Sequence, residues 1–168
     1  MIDEQFDFSR SMGGEALAAR LRRLSERLDR DGTRVYAAHG IYFEQRWYGI
    51  LRQLLARGPM SVGELAALLS VTHASVSEAR RSLEKAGIIT AAVTPGDRRR
   101  RTLSLTPHGQ QLCDRLSPLW ADFNAAAKEL NDEAGDVVKL LDLLDDALNK
   151  RSLYDRITER SAARDAPA

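Results

Sequence analysis

The stretch that decides the fold runs from Ser61 to Ile89 and reads SVGELAALLSVTHASVSEARRSLEKAGII. Ser61 and Glu64 have the spacing of a capping box, in which the serine hydroxyl and the glutamate carboxylate each accept a hydrogen bond from a backbone amide of the first helical turn. This pair predicts a short helix from Val62 to Leu69. Two leucines occupy its inward face, Leu65 and Leu68.

A second helix, from His73 to Ala86, follows a tight turn at residues 70–72. Thr72 is placed to cap it, because a threonine hydroxyl accepts from the free amides of a first turn. Gly87 ends it, because glycine readily takes the left-handed backbone conformation. Apolar side chains at helical spacing form one buried stripe: Val76, Ala79 and Leu83. Two helices joined by a short turn are typical of a helix-turn-helix.

An arginine-rich hairpin follows the second helix. Residues 88–93 predict a strand, residues 94–97 a turn around Pro95 and Gly96, and residues 101–105 the returning strand. The tip carries four consecutive arginines: Arg98, Arg99, Arg100 and Arg101. Neighbouring strand residues alternate faces, so these arginines point in different directions. This order of elements predicts a winged helix-turn-helix.

Helical segments precede this unit. Residues 11–30 carry four leucines at intervals of three and four, Leu17, Leu21, Leu24 and Leu28. Asp31-Gly32 either ends or bends this helix, and the sequence leaves that open. Residues 41–57 predict a second helix with one apolar face, which Gly58-Pro59 terminates.

Helical segments also follow it. Thr106 and Pro107 open a helix that runs to about Leu130, and Pro118 predicts a bend within it. A last helix starts at Asn131-Asp132, and the pattern leaves open whether it extends through Tyr154 and Ile157. Its apolar residues have heptad spacing: Val137, Leu141, Leu144 and Leu148. The predicted fold is therefore all-α with a small two-stranded β-wing.

Composition sets broad limits on function. The chain has 168 residues, and 43% of them are hydrophobic, which suffices for a packed core. No apolar run approaches the ~20 residues of a membrane span, and residues 1–10 lack the features of a secretory signal, so we expect a cytoplasmic protein without membrane contact. The only cysteine, Cys113, is expected to be buried. His39, His73 and His108 do not have metal-like spacing, and we expect no metal and no cofactor.

Charge is distributed unevenly along the chain although the net charge is only +1. From His73 to Arg101 there are seven basic and three acidic residues, whereas from Thr102 to the end there are eight basic and twelve acidic residues. Basic charge concentrated on a helix and a hairpin is typical of a surface that binds a polyanion. The predicted partner is double-stranded DNA.

These residues resemble the MarR family of bacterial regulators. The resemblance rests on the helix pair quoted above and on GDRRRRTLSLTPHG at residues 96–109, where Asp97, Arg99, Leu105, Thr106 and Gly109 match the family pattern. It implies that Asp97 and Arg99 brace the wing. It also implies that residues 11–38 and 107–160 form a two-fold dimer interface around a DNA-binding domain at 41–106. The sequence itself predicts disordered ends at residues 1–10 and 161–168. Residues 41–89 also look like the regulator half of acetyltransferase fusions.

Candidate DNA contacts lie on the second helix and on the wing. A recognition helix enters the major groove, where small polar side chains and arginines read base edges or hold phosphates. The candidates are His73, Ser75, Ser77, Glu78, Arg80, Arg81 and the four wing arginines. Two alternatives stay open: Arg80 and Arg81 could instead form surface ion pairs with Glu84, and Glu78 could accept from a cytosine or only orient an arginine.

The resemblance further implies a small aromatic effector bound between the DNA-binding lobe and the dimer helices. The candidate residues are Tyr36, His39, Tyr42, Trp47 and Trp120, which could equally be core or interface residues. The predicted function is a homodimeric, sequence-specific transcription regulator, most simply a repressor of a pseudo-palindromic operator. The alternative is a winged-helix protein-interaction module without specific DNA binding. No catalytic constellation is present in the sequence, so we do not expect an enzyme.

Overall fold

The computed structural model describes residues 7–94 and 97–165, and the description does not include the side chains of residues 94, 97–100 and 165. The chain divides into two compact units, Met1–Cys113 and Asp114–Ala168. The helices of the described part are α1 (Phe8–Ser11), a 3-10 turn (Gly13–Ala16), α2 (Leu17–Ala38), α3 (Trp47–Arg57), α4 (Val62–Leu68), α5 (His73–Lys85), α6 (Pro107–Glu133), α7 (Val137–Lys150) and α8 (Leu153–Asp165). The strands are β1 (Met60–Ser61), β2 (Ile89–Thr94) and β3 (Asp97–Leu105).

A three-stranded antiparallel sheet with the order β1-β3-β2 completes the first unit. The predicted hairpin is β2 and β3, paired from Ile89 opposite Leu105. The expectation of two strands missed β1, a two-residue strand that pairs Met60 with Leu103. The all-α class with a small winged sheet is confirmed. A strand this short has no alternation pattern of its own, so only its partner identifies it.

The helix-turn-helix forms through the local caps that the sequence predicts. The Ser61 hydroxyl accepts from the Glu64 amide at 3.2 Å, and the Glu64 carboxylate accepts from the Ser61 amide at 2.7 Å. The Thr72 hydroxyl accepts from the Ser75 amide at 3.1 Å and starts α5. Gly87, at φ 68°, ends it. Leu65 is fully buried, but the prediction for Leu68 was wrong, because its side chain is 42% exposed.

Gly109 lets the start of α6 pack against the backbone that follows α5. The Thr106 hydroxyl donates to the Gly87 carbonyl at 2.6 Å and accepts from the Gly109 amide at 3.0 Å. A Cβ atom at Gly109 would lie 2.0 Å from the Ile88 carbonyl oxygen. The Leu-Thr-x-x-Gly pattern therefore has a physical basis: threonine caps the helix while also binding the strand, and glycine lets the two backbones touch.

The helices before the helix-turn-helix differ from the prediction in two places. Helix α2 passes through Gly32 and ends only at Ala38, so Asp31-Gly32 does not end it. Gly32 is buried, and a Cβ atom at this position would collide with the side-chain amide of Gln45. Glycine therefore allows the Gln45 side chain to approach the backbone of α2 closely. Helix α3 begins at Trp47 rather than Ile41. Phe43 is nevertheless buried, although it lies in the connection before α3.

The expected disorder of residues 1–10 is also wrong where the structure describes them, because Asp7 caps α1. Asp7 additionally binds Arg23 of α2 at 2.9 Å. Hydrogen bonds from Arg23 and then from Ser9 hold the pKa of Asp7 well below its usual range. Residues 1–6 lie outside the described residues.

The second unit contains most of α6 and the two last helices. Pro118 lies inside α6, which is one continuous helix to Glu133, so Asn131 does not start a new one. Its side-chain oxygen instead accepts from the Val138 amide at 2.9 Å and caps α7 across a turn. The predicted last helix is in fact two, because it breaks at Arg151 and Ser152. Helix α8 reaches Asp165, which corrects the expected disorder from residue 161, while residues 166–168 lie outside the description.

Replacing Gly109 with alanine tests the backbone contact. We expect Gly109→Ala to lower the free energy of unfolding by about 1–3 kcal/mol or more, because the new methyl group must displace a backbone carbonyl. Gly14→Ala is the matched control, since nothing lies within 4 Å of a Cβ placed there. It should change stability by less than ~0.5 kcal/mol. Equal effects of the two substitutions in urea-induced unfolding would show that this contact is not a constraint.

Candidate nucleic-acid interface

Helix α5 presents a polar row to solvent because its apolar residues face the core. Val76, Ala79 and Leu83 are buried, as predicted. The remaining faces leave His73, Ser75, Glu78 and Arg81 exposed, and Ser77 and Arg80 half-buried. Among the described residues, Arg80 is the one of these six whose side chain bonds to another residue of α5, namely Glu84. Their contact with DNA stays a prediction.

The two helix arginines have different environments. Arg80 donates to the Glu84 carboxylate at 2.8 Å, and its side chain is only 19% exposed. This is the ion pair that the sequence offered as the alternative to DNA contact. Arg81 is exposed and has no ion pair within the described part of the chain. Arg81 is therefore the freer cation of this helix.

Glu78 is held by an arginine from a different helix. The Nη1 atom of Arg46, at the N-cap of α3, donates to Oε1 of Glu78 at 2.6 Å, and its Nε donates to Glu44 at 2.6 Å. Hydrogen bonds to Glu78 and then to Glu44 raise the pKa of Arg46, so the guanidinium stays charged. Sequence analysis missed Arg46, because 32 residues separate it from Glu78 and no local pattern joins them.

The position of α5 relative to α3 is fixed by Trp47. The indole is 1% exposed, and its N–H donates to the Ser82 hydroxyl at 2.7 Å. Ser82 in turn donates to the Ala79 carbonyl at 3.0 Å. A buried indole N–H needs such a partner. This hydrogen bond therefore fixes the rotation of α5 about its own axis and its position along that axis relative to α3.

The two helices of the helix-turn-helix approach closely at their first turns. A Cβ atom at Gly63 of α4 would lie 3.3 Å from Cε1 of His73. Glycine at this position leaves room for the imidazole beside α4. His73 is consequently both exposed to solvent and restricted on one side by the neighbouring helix.

At its tip, residues 94 and 97–100, the wing is described as backbone only. Strand β3 begins at Asp97, which pairs with Thr94, and the register is irregular between Val93 and Thr94. Arg101 is exposed opposite Val93. The side chains of Asp97, Arg98, Arg99 and Arg100 lie outside the described residues. The brace between Asp97 and Arg99 stays a prediction.

The five candidate effector residues have two kinds of environment. Tyr36, Trp47 and Trp120 are buried, and Tyr36 stacks on Phe43 with ring centroids 4.4 Å apart. Tyr42 is exposed and donates to Glu44 at 3.1 Å, while His39 Nδ1 lies 2.9 Å from the Val35 carbonyl. The bond to Glu44 raises the pKa of Tyr42. Trp120 belongs to the second unit, whereas the other four belong to the first.

A model of the MarR family matches residues 43–100, which contain α3, β1, the helix-turn-helix and the beginning of the wing. Over these residues the chain is similar to the MarR family. That family is one of transcription regulators rather than of enzymes.

One curated relative and two solved structures illustrate this MarR-family likeness. A putative transcriptional regulatory protein for the hcr operon of Thauera aromatica is 33% identical over 97 residues, which are 56% of this chain and 58% of that protein. A MarR protein from Peptoclostridium difficile has a TM-score of 0.63 at 17% identity, covering 92% and 96% of the two chains. Bordetella bronchiseptica BpsR, whose DNA binding is regulated by 6-hydroxynicotinic acid, has a TM-score of 0.61 at 19% identity, covering 77% and 92%. The two structures share the fold.

Two further properties of the described residues concern metal binding and membrane spans. None of these residues form a group of three or more histidine, cysteine, aspartate or glutamate side chains that could hold a metal ion. No helix in the described ranges has both the length and the apolar character needed to cross a membrane. Cys113 is buried, as predicted.

Replacing Ser82 tests whether Trp47 positions α5. Ser82→Ala leaves the buried indole N–H without an acceptor, so we expect the free energy of unfolding to fall by about 1–3 kcal/mol. Ser77→Ala makes the same change on the same helix, at a hydroxyl for which the described residues provide no hydrogen bond, and should cost less than ~0.5 kcal/mol. Urea-induced unfolding of both variants measures this. Equal losses would mean that the Trp47–Ser82 bond does not hold the helix.

Proposed function

We propose that this chain is a homodimeric repressor that binds a pseudo-palindromic DNA site, with α5 in the major groove and the wing on the flanking backbone. The observation that carries the proposal is the polar row of α5, exposed next to a basic hairpin within a MarR-family winged helix. The curated relative of this chain is itself a putative transcriptional regulatory protein. Because the chain spans about 58% of that relative's length, the function of the whole molecule rests on this proposal.

The exposed face of α5 suits the major groove sterically. Small side chains occupy its first turns, with Ser75 exposed and Ser77 half-buried, and the groove admits one helix. Arg81 follows one to two turns later and is free to reach a phosphate or a guanine. The wing adds the sequence's longest run of positive charge. A regulator of genomic DNA acts in the cytoplasm, in agreement with the location expected from the sequence.

Two apolar helix faces support the homodimer. In α2 the predicted stripe of Leu17, Leu21, Leu24 and Leu28 is exposed in the isolated chain. In α7 the predicted heptad residues Val137, Leu141 and Leu148 are exposed as well. Exposed apolar patches of this kind mark interaction sites, and a second copy of the chain is the partner that also gives the two-fold symmetry of a pseudo-palindrome.

Release by a small aromatic effector is the regulatory part of the proposal. The likeness to BpsR, whose DNA binding responds to 6-hydroxynicotinic acid, supports it at the level of the fold. Such a ligand must prefer one spacing of the two recognition helices to change DNA affinity. A library of phenolic and heteroaromatic acids tested on the operator complex would reveal a compound that weakens it, and the absence of any such compound would contradict this part alone.

Selection from random duplex DNA tests the proposed function directly. The purified chain should enrich an inverted repeat with half-sites roughly one helical turn apart. Affinity for this site should fall steeply between two salt concentrations, because phosphate contacts release counterions. Replacing Arg98 to Arg101 with alanine should weaken binding and flatten that slope. Enrichment of no motif would favour the protein-interaction module instead.

Substitution of each of the two arginines of α5 gives a matched pair of variants, whose affinity is measured on the enriched site. Arg81→Gln should lower affinity and reduce the salt slope by about 0.9 if the side chain contacts one phosphate. Arg80→Gln removes the same charge from a residue already paired with Glu84, so its effect should be clearly smaller. A larger effect of Arg80→Gln would show that the ion pair opens on DNA.

Two leucine substitutions on α7 test the dimer. Leu141→Asp places a charge on the heptad face and should convert a dimer into a monomer of 18.7 kDa. Leu143→Asp is the matched control, because it lies about half a turn away on α7 and is also exposed. Analytical ultracentrifugation distinguishes the outcomes. A monomeric wild-type chain, or equal dissociation of both variants, would contradict the proposed interface.

A further inference from the structure

Arg46 connects the loop before α3 to the exposed face of α5. It contacts two carboxylates at 2.6 Å each, Glu44 within its own loop and Glu78 in the middle of α5. Glu44 also accepts from the hydroxyl of Tyr42 at 3.1 Å. These four side chains form a continuous chain of hydrogen bonds that ends on the surface proposed to face DNA.

Stability does not account for this arrangement. The Arg46 and Glu78 side chains are 43% and 61% exposed, and ion pairs in such positions contribute little to the free energy of unfolding. The buried Trp47 next to Arg46 already fixes α3 against α5 through Ser82. What the pair does fix is the orientation of Glu78 on the exposed surface of α5.

A glutamate on a DNA-facing helix requires a compensating cation. A carboxylate that approaches two rows of phosphates is repelled unless a positive charge neutralises it or a base donates to it. Arg46 places a positive charge, which it shares with Glu44, beside Glu78 and holds the Glu78 carboxylate in one orientation. Glu78 Oε2 has no hydrogen bond within the described residues. The exocyclic amino group of cytosine is the base donor that a carboxylate accepts from in the major groove.

We propose that Arg46 is a positioning residue for base recognition: it orients Glu78 so that the free carboxylate oxygen accepts from a cytosine amino group in each half-site. This inference rests on the proposed function, since it requires α5 to lie in the major groove. Arg46 itself does not read the base. Its planar fork can hold two carboxylates at once, which a lysine cannot do with the same geometry.

The test is selection from random duplex DNA with the full-length wild type, Glu78→Ala, Arg46→Gln and Arg46→Lys. Wild type should prefer cytosine at one position of each half-site by roughly tenfold. Glu78→Ala should abolish the preference at that position only. Arg46→Gln should reduce it severalfold while the other positions of the motif are retained, and Arg46→Lys should restore part of it.

Arg57→Gln is the matched control, because it removes the same charge from the opposite end of α3. It should leave the base preference unchanged. Thermal unfolding of Arg46→Gln should resemble that of wild type, which separates positioning from a structural role. Enrichment of a motif whose cytosine position is insensitive to Glu78→Ala or Arg46→Gln would overturn this inference and leave the proposed function intact. Enrichment of no motif by wild type would overturn both.

Discussion

The burial of Trp47 is the constraint on which the rest of the interface depends. Its ring lies against Phe43 with centroids 5.6 Å apart, and Phe43 stacks on Tyr36 near the end of α2. Its N–H reaches Ser82 on α5. One aromatic cluster therefore links α2, the connection after it and α5. Because α2 also carries an exposed apolar stripe, any displacement of that helix would be transmitted to α5 through packed rings rather than through a flexible loop.

Two layers of interaction with different physical roles follow from this arrangement. The inner layer consists of neutral, buried contacts, the indole hydrogen bond and the approach of Gly109 to the Ile88 carbonyl, which are costly to break and fix the relative positions of elements. The outer layer consists of exposed ion pairs such as Arg46 with Glu78. These contribute little to the free energy of folding. The buried contacts thus fix the positions of the helices, and the exposed ion pairs act on individual side chains at the surface.

The sequence predictions were right for interactions between residues close in sequence and missed interactions between residues far apart in sequence. Caps at Ser61 and Thr72 and the stop at Gly87 involve residues a few positions apart, so local patterns were sufficient. The third strand, the burial of Gly32 and the partner of Glu78 depend on residues that only the tertiary fold brings together. Gly32 is instructive, because the same residue type marks either a helix end or a close approach, and only the neighbour decides between them. The candidate contacts on α5 were found from sequence; the arginine that restrains one of them was not.

The distribution of surface types suggests how one chain can serve two partners. Apolar side chains remain exposed on α2 and α7, while the exposed face of α5 is polar and basic. A protein partner that buries apolar area and a nucleic acid that binds charge are therefore directed to different helices. If α2 is ordered by contact with a second copy, the aromatic cluster that begins at Tyr36 is ordered with it. In the proposed dimer, contact between the two copies and the orientation of α5 are therefore coupled through this cluster.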